Sequence, residues 1–377
     1  MQKLSDLFLL LPLSTLFFSM ILFPITVKAQ KAPEAPALRV GVVGLVHTHV
    51  HWILGREDRG DVEIAGIVEP NRELAARYGK QHGYSMDLVY DSLEVMLDTV
   101  KPDAVTAFGT IWDHKRIVDA CAARGIHVMV EKPLAVSLEH AEAMAKAARD
   151  AGIHLLTNYE TTWYPSVHEA HKRVASGEIG PLRKIVVHDG HQGPREIGVN
   201  EEFLEWLIDP VYNGAGALTD FGCYGANLVT WLMKGERPQS VTAVTQQIKP
   251  DQYPKVDDEA TIILKYPETQ AIIQASWNWP FNRKDIEVYG RTGFIHADDG
   301  RTLRIRTEGR DAARRLTVKQ LKNPQDDPFA YLAAVIRGEL TPGKDLSSLE
   351  NNLLVMEILD AAMRSARSGK TVYLGER

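Results

Sequence analysis

From Leu38 onward, short apolar runs alternate with segments whose apolar residues recur at helical spacing. This alternation is typical of strand–helix–strand units, which build a parallel sheet with helices on both faces. It predicts strands at 38–45, 62–69, 104–109, 127–131 and 154–159. It predicts helices at 71–82, 113–124 and 137–151, with Asp113 and Ser137 as N-caps. We therefore expect a doubly wound, parallel Rossmann sheet over residues 38–160.

Beyond residue 160 the strands follow one another closely and alternate apolar with polar residues. We predict strands at 183–187, 240–247, 260–266, 271–277 and 286–289. Helices predicted at 219–233 and 346–368 would cover one face of a mostly antiparallel, open sheet. The fold class is thus α/β, with a Rossmann domain followed by an α+β domain over 161–377 for substrate binding and oligomerisation. The last helix is free to pack back on the first domain.

Length and charge narrow the class of protein. A chain of 377 residues is too long for one ordinary core, and its 43 basic and 49 acidic residues leave a net charge of -6. Without a block of like charge, nucleic acid is excluded as an expected partner. The two cysteines lie far apart in predicted helices, so two buried thiols are favoured over a disulfide.

The first thirty residues differ from the rest. Lys3 precedes an apolar stretch over 7–27, and Val27-Lys28-Ala29 places small residues where a signal peptidase cleaves. This predicts a Sec signal peptide over 1–29, a leader over 30–37, and a periplasmic or secreted protein with no membrane contact after cleavage. The alternative is an uncleaved anchor, since the stretch is long enough to span a bilayer.

The first strand runs into a turn that departs from the dinucleotide fingerprint. Only the first of three glycines is present, because Val46 and His49 stand at the second and third positions. The amides and side chains of the first helical turn can still bind phosphate. The predicted contacts are Gly44, Val46, His47, Thr48 and His49.

The same histidines raise the question of a metal. His47 and His51 would share a helical face, but His49 would not, and no cysteine or carboxylate nearby completes a ligand set. We therefore expect no metal site.

Glu69, at the end of the second strand, is expected to accept hydrogen bonds from the adenosine ribose, which favours NAD(H) over NADP(H). Arg72 offers the alternative of a 2'-phosphate contact.

The strand at 127–131 ends in Glu131-Lys132-Pro133. An apolar strand with this ending resembles the Gfo/Idh/MocA family of glucose-fructose oxidoreductase and inositol dehydrogenase. Further similarities lie at 102–105, 120–123, 177–180 and 359–372, so the resemblance covers nearly all of the chain after residue 38. A lysine at the carboxyl end of a parallel strand points into the crevice where open sheets bind ligands. The resemblance further implies cofactor contacts from Gly109, His114, Glu131 and Lys132, and a homo-oligomer.

A second similarity lies at 214–227, where many relatives carry histidine and aspartate in place of Tyr224 and Asn227. The tyrosine form resembles the branch of glucose-fructose oxidoreductase and dihydrodiol dehydrogenase. On one helix, Asp220, Tyr224 and Asn227 would face the same way. Because a nearby ammonium favours a phenolate, Lys132 and Tyr224 are predicted to form a proton relay, with Asp220 as third catalytic residue.

The resulting expectation is an NAD(P)-dependent oxidoreductase that acts on a sugar or cyclitol. The predicted substrate contacts are Tyr159, Trp163, His191 and Asn227, since aromatic faces stack on sugar rings and polar groups bind hydroxyls. Two alternatives stay open. One is a glycoside hydrolase or lyase with a retained NAD, which export would favour. The other is a sugar-binding relative without catalysis, which the altered turn would favour.

Overall fold

A six-stranded parallel sheet forms the first half of the computed structural model, which describes residues 36–375. Its strands are β1 (Leu38–Val43), β2 (Val62–Val68), β3 (Val89–Tyr90), β4 (Ala104–Ala107), β5 (His127–Glu131) and β6 (Leu155–Asn158). The order is β3-β2-β1-β4-β5-β6, with every neighbouring pair parallel. The direction of winding reverses between β1 and β4, which opens a crevice at the carboxyl ends of these strands.

Five helices cover this sheet: α1 (Val50–Leu54), α2 (Arg72–His82), α3 (Leu93–Val100), α4 (Asp113–Ala122) and α5 (Leu138–Ala151). The prediction of Ser137 as an N-cap is confirmed, since its side chain accepts from the amide of His140. The prediction for Asp113 is wrong. This residue lies inside α4, and its carboxylate accepts from the amide and the hydroxyl of Thr110 in the loop before it.

The second half is built on a nine-stranded sheet of order β14-β13-β12-β11-β7-β10-β9-β8-β15. Its strands are β7 (Leu182–Gly190), β8 (Ser240–Gln246), β9 (Glu259–Lys265), β10 (Gln270–Ser276), β11 (Arg283–Gly290), β12 (Gly293–Ala297), β13 (Thr302–Thr307), β14 (Arg314–Thr317) and β15 (Val372–Tyr373). Only β7 and β10 pair in parallel among these strands. The predicted fold class is therefore confirmed, with a Rossmann sheet followed by a mostly antiparallel one.

The helices of the second half are α6 (Pro165–Ala175), α7 (Glu201–Leu207), α8 (Pro210–Asn213), α9 (Ala217–Asp220), α10 (Gly222–Leu232), α11 (Pro328–Ile336) and α12 (Leu349–Ser368). The single helix predicted at 219–233 is split at Phe221. The carbonyl of Asp220 is engaged by the side chains of Lys132 and Cys223 rather than by the next turn of helix. This break sets the direction of the Asp220 side chain.

The long helix α12 packs against α10 and β8 of the second half and also against α5 of the first. Cys121 and Cys223 are both buried and free, as expected. Within residues 36–375, no helix combines the length and the apolar character that crossing a bilayer requires. The predicted signal peptide over 1–29 lies outside the described residues, as does the leader up to residue 35.

Candidate functional site

A cavity of about 400 Å³ lies at the carboxyl edge of the parallel sheet, where the turn after β1 and the end of β5 face the second sheet. It brings together residues that are far apart in the chain. The polar residues in its wall include His47, Thr48, His49, Lys132, Glu160, His191, Asp220, Tyr224 and Lys284.

Lys132 follows β5 directly and is buried at the base of this cavity. Its ammonium donates to Asp220 Oδ1 at 2.5 Å and to the carbonyl of Asp220 at 3.2 Å. The other carboxylate oxygen of Asp220 accepts from Trp277 Nε1 at 3.0 Å. Burial alone would lower the pKa of Lys132 and raise that of Asp220, but their pairing reverses both shifts. The pair is therefore ionised at neutral pH.

Tyr224 lies beside this pair in the cavity wall. The ammonium groups of Lys132 and Lys284 lie 5.2 and 4.4 Å from the centre of its ring, so both meet the aromatic face. Burial, with the negative charge of Glu160, raises the pKa of Tyr224 well above its usual value. This shift favours the protonated phenol over the expected phenolate, because burial outweighs the nearby ammonium. The relay between Lys132 and Tyr224 stays a prediction.

A second ion pair, which the sequence analysis missed, crosses the same cavity. Lys284 on β11 donates to the carboxylate of Glu160, which also accepts from the hydroxyl of Tyr164. Burial opposes the ionisation of Glu160, but Lys284 lowers its pKa to about 2. Glu160 follows β6 at the carboxyl edge, a position that could have identified it. Lys284 gave no local signal, because only the pairing of β11 with β7 brings it here.

His191 also lines the cavity, at the end of β7. Its Nδ1 accepts from the amide of Gly193 at 2.9 Å, so the ring proton resides on Nε2. Burial lowers the pKa of His191 to about 4, which keeps the ring neutral. The predicted substrate residue His191 therefore offers one neutral N–H donor.

The turn after β1 keeps the tight first turn of a dinucleotide fold. Gly44 has a φ of +79°, and a Cβ there would lie 2.5 Å from the amide nitrogen of Gly109. The prediction that Glu69 binds a ribose is not supported. Its buried carboxylate accepts from the amides of Leu45 and Asn71, each at 2.9 Å, and so links the turn after β1 to the end of β2. The argument for NAD(H) over NADP(H) therefore loses its basis.

The histidines of this turn point towards Glu131 at the end of β5. His49 Nδ1 lies 2.9 Å and His47 Nε2 lies 3.8 Å from the same carboxylate oxygen, Oε2. The other oxygen of Glu131 accepts from Asn158 Nδ2 at 2.7 Å. Burial would raise the pKa of Glu131, but His49 and its other partners lower it to about 2. Glu131 is thus a buried carboxylate with imidazole neighbours.

Helix α7 covers this turn. The rings of Phe203 and Trp206 lie 5.0 and 5.8 Å from the ring of His47, which is 1% exposed. Val46, at the second glycine position, is partly buried against the apolar core and does not line the cavity. The described turn is therefore more enclosed than a fingerprint of three glycines would make it.

Five further predicted contacts also lie outside the cavity wall. Arg72 is exposed and donates to the carbonyl of Val89, and buried His114 binds the carbonyl of Leu134 behind the Glu131–Pro133 turn. The remaining three are fixed by neighbours: Tyr159 packs edge-to-face on Tyr224, Trp163 donates to Asn158, and Asn227 donates to Leu346 and Asn352. The predicted direct contacts of these five residues are not supported, because each side chain, including that of exposed Arg72, has another partner.

A nicotinamide dinucleotide fits this site at one end. Gly44 makes the tight turn, Thr48 stands at the start of the first helix, and Lys132 lies where the crevice meets the cavity. Gly44 and Thr48 would hold the pyrophosphate, and Lys132 would lie beside the nicotinamide. The adenosine half would lie at the end of β2, where the present contacts of Glu69 would have to change on binding.

A Rossmann domain with a buried lysine at the carboxyl edge of β5, facing a second sheet across a polar cavity, is the architecture of two-domain NAD(P)-dependent oxidoreductases. Residues 38–159 match a family model described as oxidoreductase family, NAD-binding Rossmann fold. Residues 167–296 match the GFO/IDH/MocA C-terminal domain. The chain therefore belongs to the Gfo/Idh/MocA family of oxidoreductases.

Named relatives show the range of this family. The chain is 27% identical to trans-1,2-dihydrobenzene-1,2-diol dehydrogenase from Bos taurus over 61% of its own length and 65% of the relative's, just under two thirds of that protein. It resembles the structure of aldose-aldose oxidoreductase from Caulobacter crescentus at 25% identity and a TM-score of 0.76, covering 90% of this chain and 100% of that one. An inositol dehydrogenase homologue from Azotobacter vinelandii shares the fold, with 18% identity, a TM-score of 0.79, and coverage of 90% and 98%.

Proposed function

We propose that this protein is a nicotinamide-dependent oxidoreductase that acts on an uncharged polyhydroxylated substrate, a sugar or cyclitol, at the cavity above Lys132. The observation that carries the proposal is the buried Lys132–Asp220 ion pair, because an ammonium fixed at the carboxyl edge of β5 can bind a substrate oxygen where the crevice meets the cavity. The likeness to an aldose-aldose oxidoreductase supports the class of substrate.

The charges in the wall favour an uncharged substrate. Lysine and arginine side chains around the cavity each have a carboxylate partner: Lys132 pairs with Asp220, Lys284 with Glu160, and Arg283 with Asp285. Among the described wall residues, no such cation is left to bind the carboxylate or phosphate of an anionic substrate. A neutral polyol, which needs hydrogen-bond partners rather than a counter-charge, suits this wall better.

The protonation states favour the reduction of a carbonyl. The dinucleotide, when bound, supplies or accepts the hydride. The Lys132 ammonium, the Tyr224 hydroxyl and the His191 Nε2–H are all donors, so they can hold a carbonyl oxygen and stabilise the negative charge that develops on it. Lys132 Nζ would transfer its proton to that oxygen, and Asp220 would keep the lysine in place.

The test begins with the purified chain and no added nucleotide. Mass and ultraviolet spectrum of any small molecule released on denaturation show whether a cofactor is retained, and titration with NADH and NADPH follows. Keto-sugars and keto-cyclitols are then compared with the matching uronates. We expect nucleotide binding and turnover of the neutral compounds only. A chain that neither carries nor binds a nicotinamide dinucleotide contradicts the proposal.

Two lysine variants separate the role of the site from general effects. Lys132→Met should lower kcat for carbonyl reduction by roughly 10²–10⁴-fold, the usual contribution of a positioned acid. Lys115→Met removes an exposed lysine of α4 that pairs with Asp119, and it should leave kcat unchanged. Equal activity of the two variants would remove Lys132 from the mechanism.

A further inference from the structure

The first element of this inference is a cluster of ligand atoms beside the cavity. His47, His49 and Glu131 each place one ligand atom, an imidazole nitrogen or a carboxylate oxygen, within 4.8 Å of the other two. The two measured separations from the carboxylate oxygen Oε2 are 3.8 Å to His47 and 2.9 Å to His49. Ligands that bind zinc at about 2.0–2.2 Å in a tetrahedron stand about 3.3–3.6 Å apart, so these separations bracket the required one.

The second element is charge. Glu131 is 1% exposed, and within ion-pair distance the described residues offer it only the imidazoles of His47 and His49. The ammonium of the next residue, Lys132, is committed to Asp220. A buried carboxylate with no lysine or arginine partner favours a bound positive ion.

The third element is an unpartnered nitrogen. His47 Nδ1 accepts from the amide of His49 at 3.1 Å, which leaves the ring proton on Nε2. That buried Nε2 has no hydrogen-bond partner. Binding a cation at Nε2 moves the ring proton to Nδ1 and breaks the contact with His49, and in exchange a buried unsatisfied atom gains a ligand bond.

The fourth element is the support behind the carboxylate. Asn158 Nδ2 donates to the second oxygen of Glu131 at 2.7 Å, and Trp163 Nε1 donates to the oxygen of the same amide at 2.9 Å. The indole fixes the orientation of the amide, and the amide fixes the carboxylate. Outer contacts of this kind orient the ligands of metal sites.

From these observations we propose that His47, His49 and Glu131 bind one divalent transition-metal ion of the zinc class. His47 and His49 line the cavity, so a fourth position would open to a water molecule or a substrate oxygen, as in catalytic sites with three protein ligands. The sequence-based expectation of no metal failed to include Glu131, which is 82 residues from His49 in the chain. The proposal goes beyond the proposed function and explains why histidine stands at a glycine position of the turn.

The experiment uses the full chain, treated with a chelator and then titrated with Zn²⁺ by calorimetry in the absence of nucleotide. Co²⁺ serves as a second probe, because its visible absorption reports the coordination geometry. We expect one Zn²⁺ per chain, with binding abolished in His49→Ala. Asn158→Ala should weaken binding by roughly 10–100-fold through the outer contact.

His51→Ala is the matched control. His51 lies two residues after His49 in the chain, but its Nδ1 lies 2.8 Å from Nε2 of His82 and it does not belong to the cluster at Glu131. It should bind Zn²⁺ like the wild type. Glu131→Gln gives a second ligand variant, and circular dichroism checks that each variant is folded. Wild-type protein without a stoichiometric Zn²⁺, or binding lost in His51→Ala and kept in His49→Ala, overturns the proposal. Nucleotide binding, measured separately after chelation, tests the proposed function alone.

Discussion

Replacing Asp220 by asparagine would leave the Lys132 ammonium buried without a counter-charge. The two side chains are 7% and 6% exposed and joined at 2.5 Å, so this is a buried ion pair. Removing one partner of such a pair costs about 3–5 kcal/mol, because the remaining charge keeps its desolvation penalty. We expect Asp220→Asn to lower the free energy of unfolding by that amount at pH 7, measured by urea denaturation with tryptophan fluorescence.

The pH dependence gives this prediction a second signature. Without Asp220, burial lowers the pKa of Lys132 in the folded variant below its unfolded value. The unfolded chain then binds more protons than the folded one, so the stability of the variant rises with pH as the ammonium loses its proton. The wild type, in which Asp220 raises the pKa of Lys132, should not gain stability between pH 7 and pH 10 from this group.

Asp119→Asn is the matched control. It breaks the exposed pair of Lys115 and Asp119, whose side chains are 36% and 45% exposed. A surface pair of this spacing contributes about 0.3–0.5 kcal/mol. If Asp220→Asn destabilises the protein no more than Asp119→Asn does, the buried pair does not hold the base of the cavity as described.

Three further outcomes can be checked on the same protein. Because the pKa of Glu131 is lowered to about 2, its contribution to stability is present above about pH 4.5 and fades towards pH 2, so the difference in Tm between wild type and Glu131→Gln should shrink at low pH. Gly44→Ala should lower the free energy of unfolding, measured by urea denaturation, by well over the ~1 kcal/mol expected for Gly60→Ala. Both glycines have positive φ, but of the two only Gly44 has backbone atoms within 3 Å of the added Cβ, and equal losses would contradict this reasoning. Burial raises the pKa of Cys121 to about 12 and that of Cys223 further, so neither thiol should react with DTNB before unfolding.

Local patterns predicted the parallel sheet well. The strand at 127–131 was placed without error, and the others were placed to within two residues, because buried parallel strands are continuous apolar runs bounded by polar turns. The short edge strand β3 and the helices α1 and α3 were missed. The two residues of β3 and the five of α1 are too few to show a period.

In the candidate site, too, the residues that depend on local sequence were predicted and those that depend on tertiary contacts were not. Lys132 was found because its position depends on one strand and one turn, and the motif carries both. Asp220 lies at a helix break where its carbonyl accepts from Lys132, and the position of Lys284 depends on the pairing of β11 with the distant strand β7. Glu69 was predicted at the correct strand end, but its side chain turned inwards to bind two amides. Such choices depend on tertiary contacts rather than on sequence spacing.

The position of α7 has a kinetic consequence. The segment that carries α7 and α8 is held at both ends: Asn200 donates to the hydroxyl of Tyr78 at 2.8 Å, and the carbonyl of Tyr212 accepts from the amide of Trp112 at 3.1 Å. A ligand that reaches the turn through the cavity, which His47, Thr48 and His49 line, needs no opening of this segment, whereas access from the side of α7 does. Exchange of the backbone amides in α7 reports that opening, so ligand release faster than this exchange would identify the cavity as the route.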